Sequence, residues 1–190
     1  MQAPEVDINV IVMTSASWPV SKAPLSCILP SLLVKTCKSF ELFYLSQHAG
    51  RTLTWLPSFG NADVEVAFKK RKHLLNVSSF ALIILLLFED LGKGESLTYA
   101  EIKNATEIPD RELQRNLYSL ACAKYRVLRK HPFGRNINPN DSFSFNEGFS
   151  SPSRKIHINT AGAWIESDEE QKETQRGVKE DRRYQIDVRT

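Results

Sequence analysis

Side-chain catalysis needs a nucleophile beside a base, paired carboxylates, or ligands at metal spacing, so the Cys, His, Asp and Glu residues are located first. The three cysteines, Cys27, Cys37 and Cys122, lie far apart and form no CxxC pair. Neither a disulfide framework nor a zinc ribbon follows from such spacing. The four histidines, His48, His73, His131 and His157, never fall at metal-ligand intervals. No Gly-rich phosphate loop, GxSxG or HExxH occurs. Cys122 can be named as a lone nucleophile, but it sits beside the apolar stripe of a helix and reads as a buried structural thiol. The expectation is therefore no catalytic residue, no metal ligand and no cofactor.

The second chemistry to weigh is nucleic-acid recognition. In IPDRELQRNLYSLACAKYRVL, residues 108–128, a proline opens a helix and a strand follows almost at once. Leu113, Leu117, Leu120 and Ala121 form an apolar stripe, and the residues away from it are Asp110, Arg111, Glu112, Gln114, Arg115 and Asn116. Two acids offset two bases on that face, which suits a polyanion poorly. The following hairpin is more basic, with Lys124, Arg126, Arg129, Lys130 and Arg135 and no acid before Asp141. Nucleic acid is thus an unfavoured partner, and a winged-helix nucleic-acid binder is the alternative to an interaction module.

These residues need elements to position them. VDINVIVMT alternates, with Val6, Ile8, Val10 and Val12 on one face of an expected strand. Prolines at 19, 24 and 30 mark an irregular connection. A helical pattern runs from Leu32 to His48, with Leu33, Cys37, Phe40, Phe43, Tyr44 and Gln47 near one face and Gly50 as its stop. RTLTWLP and NADVEVAFK read as two more strands around the turn SFGN. The expected unit is a small antiparallel sheet with a covering helix, and its short strands leave edges that must be paired or covered.

KKRK, Lys69–Lys72, reads as a solvated linker, with a nuclear-localisation or phosphate-binding patch as the sharper reading. FALIILLLF, Phe80–Phe88, spans roughly 14 Å as a helix, well short of the ~20 residues of a membrane span, so it reads as a buried helix. Thr98 and Glu101 form a capping box for the next helix. The third helix and the YRVLRK and SFSFN strands complete a winged helix, an α+β arrangement overall. RKIHINT resembles one more strand. Beyond Gly162 the chain is charged, with seven acids and five bases between Glu166 and Arg183. The domains expected are 1–72, 73–162 and a tail at 163–190.

The totals agree with a globular fold: 42% hydrophobic, 25% charged and a net charge of only +3. MQAPEVDINV carries acids and no long apolar run, and the Asn76, Asn104 and Asn140 sequons read as chance matches. A reducing compartment, cytoplasm and nucleus, is expected.

DINVIVMTSASWP, FELFYLSQHAGRTLTWLPSFGNADVEVAF, VSSFALIILLLF, YAEIKNATEIPDRELQRNLYSLACAKYRVL and DRRYQID occur in this order. Together they resemble the C-terminal region of cullins, the scaffolds of RING ubiquitin ligases, and sit nearest to cullin-3-type sequences. The resemblance implies a noncatalytic scaffold fragment serving ubiquitin-dependent protein degradation. Its α+β unit would accept a strand of a RING-box protein by β-augmentation, and that protein would in turn hold a ubiquitin-conjugating enzyme. The implied docking residues are Val6, Ile8, Val10, Val12, Trp18, Leu53, Trp55, Val64 and Val66. Ala123 stands where the family usually has Gly. The resemblance ends at DRRYQID, so the helical-repeat stalk, the second winged helix and its modified lysine are expected to be missing from this chain.

Overall fold

A computed structural model describes residues 6–14 and 27–160. The expected tail at 163–190 lies outside the described residues. Five helical segments and six strands follow one another: α1 Ser31–Gln47, a 3₁₀ turn Pro57–Phe59, β1 Asn61–Ala67, β2 Lys72–Ser78, α2 Ser79–Leu86, β3 Ser96–Thr98, α3 Tyr99–Thr106, α4 Asp110–Ala121, β4 Leu128–His131, β5 Ser142–Phe145 and β6 Lys155–His157. The α+β class holds, but of the three strands expected to form the first sheet only NADVEVAFK does so.

The first sheet has the order β1-β2-β6. β1 and β2 are antiparallel, with Val64 opposite Leu75, while β6 runs parallel to β2, with Ile156 beside Leu75. KKRK is therefore not a linker. It is the turn of the β1–β2 hairpin, where Phe68 N–H donates to Arg71 C=O at 3.2 Å. Lys69 pairs with Glu147 at 2.9 Å and Lys72 with Glu65 at 2.8 Å. His73, Leu75 and Val77 alternate inward along β2. That period runs straight into FALIILLLF, which hides where strand ends and helix begins. Lys72, at the end of the basic run, is the first residue of β2.

Residues 6–14 and 51–56 carry no strand. Alternation alone builds no ladder, because every strand needs a neighbour to take its N–H and C=O groups.

The winged-helix reading stands. Ser78 caps α2 by accepting the Ala81 N–H at 3.2 Å, and Thr98 with Glu101 closes the capping box on α3. Glu107 ends α3 in the left-handed region at φ 50°. The wing is three-stranded, β3-β5-β4, because Ser96–Thr98 adds a short strand ahead of α3. β6, the strand expected in RKIHINT, closes the first sheet.

The core joins both parts. Leu75, Ile83, Ile84, Ile102, Leu113, Leu117, Leu120, Leu128, Phe143 and Ile156 are almost completely buried in one cluster. α2 is its centre, packing on β1, β2, α3 and α4. An eight-residue helix that is apolar all round has no solvent face to offer, so it is surrounded. No helix among the described residues is long and apolar enough to cross a membrane.

Candidate docking surface

Val6, Ile8 and Val10 are half-buried while Asp7 and Asn9 are exposed, so the first segment keeps a strand's alternation without a strand's pairing. Val12 departs from that pattern and is exposed, together with Ile11 (80%) and Met13. Trp18 lies outside the described residues. Leu53 and Trp55 repeat the arrangement: both are half-buried, and Thr52 and Thr54 between them are exposed.

α1 supplies what backs the second segment. Phe40 meets Trp55 edge-to-face with ring centroids 5.9 Å apart, and Phe40 stacks with Tyr44 at 6.1 Å. Such aromatic pairs add about 0.5–1.5 kcal/mol beyond area burial. Arg51 Nη1 donates to Tyr44 Oη at 3.2 Å and fixes where the segment leaves the helix. The stripe expected on α1 is only partly used. Cys37 is its one buried residue, and Phe43 points to solvent at 64% exposure beside Leu42 at 73%. The sequence offered a signal for this, since apolar residues run around α1 and a helix with one covered face must leave the others wet.

Val64 and Val66 are placed differently. They line the inward face of β1 and pack against the core. What β1 presents outward is backbone: it pairs with β2 alone, which leaves its other edge open among the described residues. The structure thus sets Trp55 against α1, with Leu53 half-buried in the same segment, and Val64 and Val66 together against the core, as two separate groups.

The groups that could support catalysis or nucleic-acid reading are arranged otherwise. Burial raises the pKa of the Cys27, Cys37 and Cys122 thiols, which disfavours the nucleophilic thiolate. No group of His, Cys, Asp and Glu among the described residues could hold a metal ion. α4 is closed as a reading head. Asn116, expected on its outer face, is 1% exposed; its Nδ2 donates to Glu112 C=O and its Oδ1 accepts from Ser78 Oγ. Arg115 is paired with Glu112 at 2.8 Å, and Asp110, the one exposed residue of the helix, is engaged by Lys103 and Tyr99. A recognition helix must offer a free face to base edges, and this one does not.

Comparison with known proteins follows the same lines. The sequence model of the family described as Cullin alpha+beta domain matches residues 12–149. The chain is 46% identical over 188 residues to Cullin-3 of Schizosaccharomyces pombe, covering 97% of this chain and 24% of that protein. It is 41% identical over 179 residues to Cullin-3A of Arabidopsis thaliana, covering 93% and 24%. It is 39% identical over 183 residues to Cullin-4A of Homo sapiens, covering 96% and 24%. The chain spans about a quarter of the length of these relatives.

Proposed function

The chain belongs to the cullin family, and on that premise we propose that it acts as a noncatalytic scaffold piece of a ubiquitin ligase, docking a RING-box protein by strand addition. The observation that carries this reading is the pair of extended segments, 6–12 and 51–56. Residues 6–10 and 51–55 alternate half-buried apolar with exposed residues, and neither segment has a strand partner among the described residues. An incoming strand would satisfy their backbone groups, and the half-buried apolar side chains along them would set its register. The scaffold would do no chemistry. It would hold a ubiquitin-conjugating enzyme, through the RING-box protein, at a fixed distance from substrate. Cytoplasm and nucleus are the compartments we assign to it, in keeping with three free cysteines.

The test is co-expression with a RING-box protein. A stable complex is expected, with amides of residues 6–12 and 51–56 gaining protection from hydrogen exchange. If no complex forms while duplex DNA binds with a steep salt dependence, the scaffold reading fails and the winged-helix alternative replaces it.

A further inference from the structure

β4 buries Leu128 and Lys130 and turns Arg129 and His131 outward. The strand register then builds two rows across the outer face of the wing sheet. Arg129 lies opposite Ser144, which lies opposite Ser96; His131 lies opposite Ser142, which lies opposite Thr98. Neither row contains a carboxylate or a large apolar side chain. The β3 margin is already occupied, because Thr98 Oγ1 donates to Glu101 Oε2 at 2.8 Å. The β4–β5 half is open, and Arg129 is held there by its Nε donating to Asn146 Oδ1 at 2.9 Å.

The loop leaving β4 continues this half. Its base is clasped by a buried ion pair, Lys130 Nζ to Asp141 Oδ2 at 2.9 Å, with side chains 4% and 2% exposed. Lys130 Nζ also donates to Pro132 C=O at 2.7 Å, and Asn138 N–H donates to Asp141 Oδ2 at 2.7 Å. A loop tied at both ends presents its tip in a fixed place. Directly beyond the clasp stands Phe133, 84% exposed, with the Arg126 guanidinium 5.3 Å from its ring centroid. From Lys124 to Asn140 there is no acid, while Lys124, Arg126, Arg129 and Arg135 are all exposed. Asp141, the first acid after them, is neutralised inside the fold.

We propose that the outer face of β4 and β5, with the loop from Pro132 to Asn140, binds an acidic, extended segment of a partner protein. Arg129, the exposed cations near it and the serine hydroxyls offer donors to carboxylates, and the Glu147 carboxylate that Arg129 feels is itself paired with Lys69 at 2.9 Å. Phe133 gives the segment one apolar anchor among the charges. The fixed loop lowers the cost of ordering on binding. Nucleic acid fits less well, because α4 offers no free face to base edges beside this surface. This surface is separate from residues 6–12 and 51–56 and does not depend on RING-box docking.

The test uses the full chain and a fluorescently labelled oligoglutamate peptide, with an oligoglutamine peptide and a single-stranded oligothymidylate as comparators, read by anisotropy. Oligoglutamate is expected to bind, with amide resonances of Ser142 and Ser144 shifting. Arg126→Glu with Arg135→Glu should weaken it by about tenfold or more, and Phe133→Ala by a few-fold. Both variants change exposed side chains, and an unchanged thermal melt shows that they fold. The proposal is overturned if oligoglutamate does not bind, if the charge-reversed variant binds it equally well, or if oligothymidylate binds more tightly than oligoglutamate.

Discussion

Ser78 Oγ donates to Asn116 Oδ1 at 2.6 Å while accepting the Ala81 N–H at 3.2 Å. One hydroxyl therefore ends β2, starts α2 and ties both to the middle of α4. Ser78→Ala should cost about 2–4 kcal/mol, the sum of a lost N-cap and a buried amide oxygen left with only the long contact to Thr160. Asn116→Ala leaves the cap in place and should cost about 1–3 kcal/mol. Urea unfolding of the two single variants and the double variant should give a coupling near 1 kcal/mol. Strict additivity would show that the contact contributes nothing.

Gly60 precedes β1 with ordinary extended backbone, so its φ is not the reason for glycine. Space is the reason, because a Cβ there would collide with Ser79 Oγ at the start of α2. Gly60→Ala should destabilise by roughly 1–3 kcal/mol. Adding Ser79→Ala removes the colliding oxygen and should recover most of the loss. A double variant no better than Gly60→Ala would place the constraint in the backbone instead.

The wing clasp predicts an asymmetry. Lys130→Met alone leaves Asp141 as an uncompensated buried charge and should cost about 3–5 kcal/mol. Lys130→Met with Asp141→Leu removes both charges and should be much closer to wild type in stability. Thermal melts of the single and double variants decide it; equal losses would mean that the pair acts through geometry rather than charge.

Stability should fall at both ends of the pH scale. The carboxyls of Asp63 (chiefly through Asn76, then Lys155), Glu65 (through Lys72), Asp110 (through Lys103, then Tyr99) and Glu147 (through Lys69) are held below their ordinary values. Depressed carboxyls stabilise the fold above the unfolded value of about 4, and that contribution disappears as pH drops through the folded values. Tyr99 shifts the other way. Burial, followed by its hydrogen bond to Asp110, pushes its phenol up to about 12. Its contribution is complete below the unfolded value of about 10 and is lost as pH rises toward 12. Urea midpoints across pH check both limbs. Tyr99→Phe should remove the part of the alkaline loss that belongs to this phenol, and Asp63→Asn should flatten the acid limb.

The helices were legible because their signals are local. Thr98 and Glu101 stand three apart in a capping box, Leu113, Leu117 and Leu120 mark one stripe, and Gly50 adopts φ 77° just past α1. The sheets were less legible because pairing is settled by distant residues. Val6–Val12 and Leu53–Trp55 alternate in sequence as well as β1 does, yet only β1 of the three finds a strand neighbour among the described residues. His73, Leu75 and Val77 carried a clear period of two, but four bases before them and an apolar run behind them obscured it. Asn116 misled for a related reason. A polar type at the edge of a stripe reads as surface until Ser78, 38 residues away, is known to meet it.

His73 Nδ1 donates to the carbonyl of Ser153, eighty residues further on, where the chain enters β6. The whole winged-helix stretch is therefore spliced between two neighbouring strands of one sheet. On a ribosome the β1–β2 hairpin emerges early and must wait, its β6 side unfilled, until Ile156 and Ile158 have been synthesised and threaded into place. Completion of the first sheet thus reports that everything between its strands has already been made.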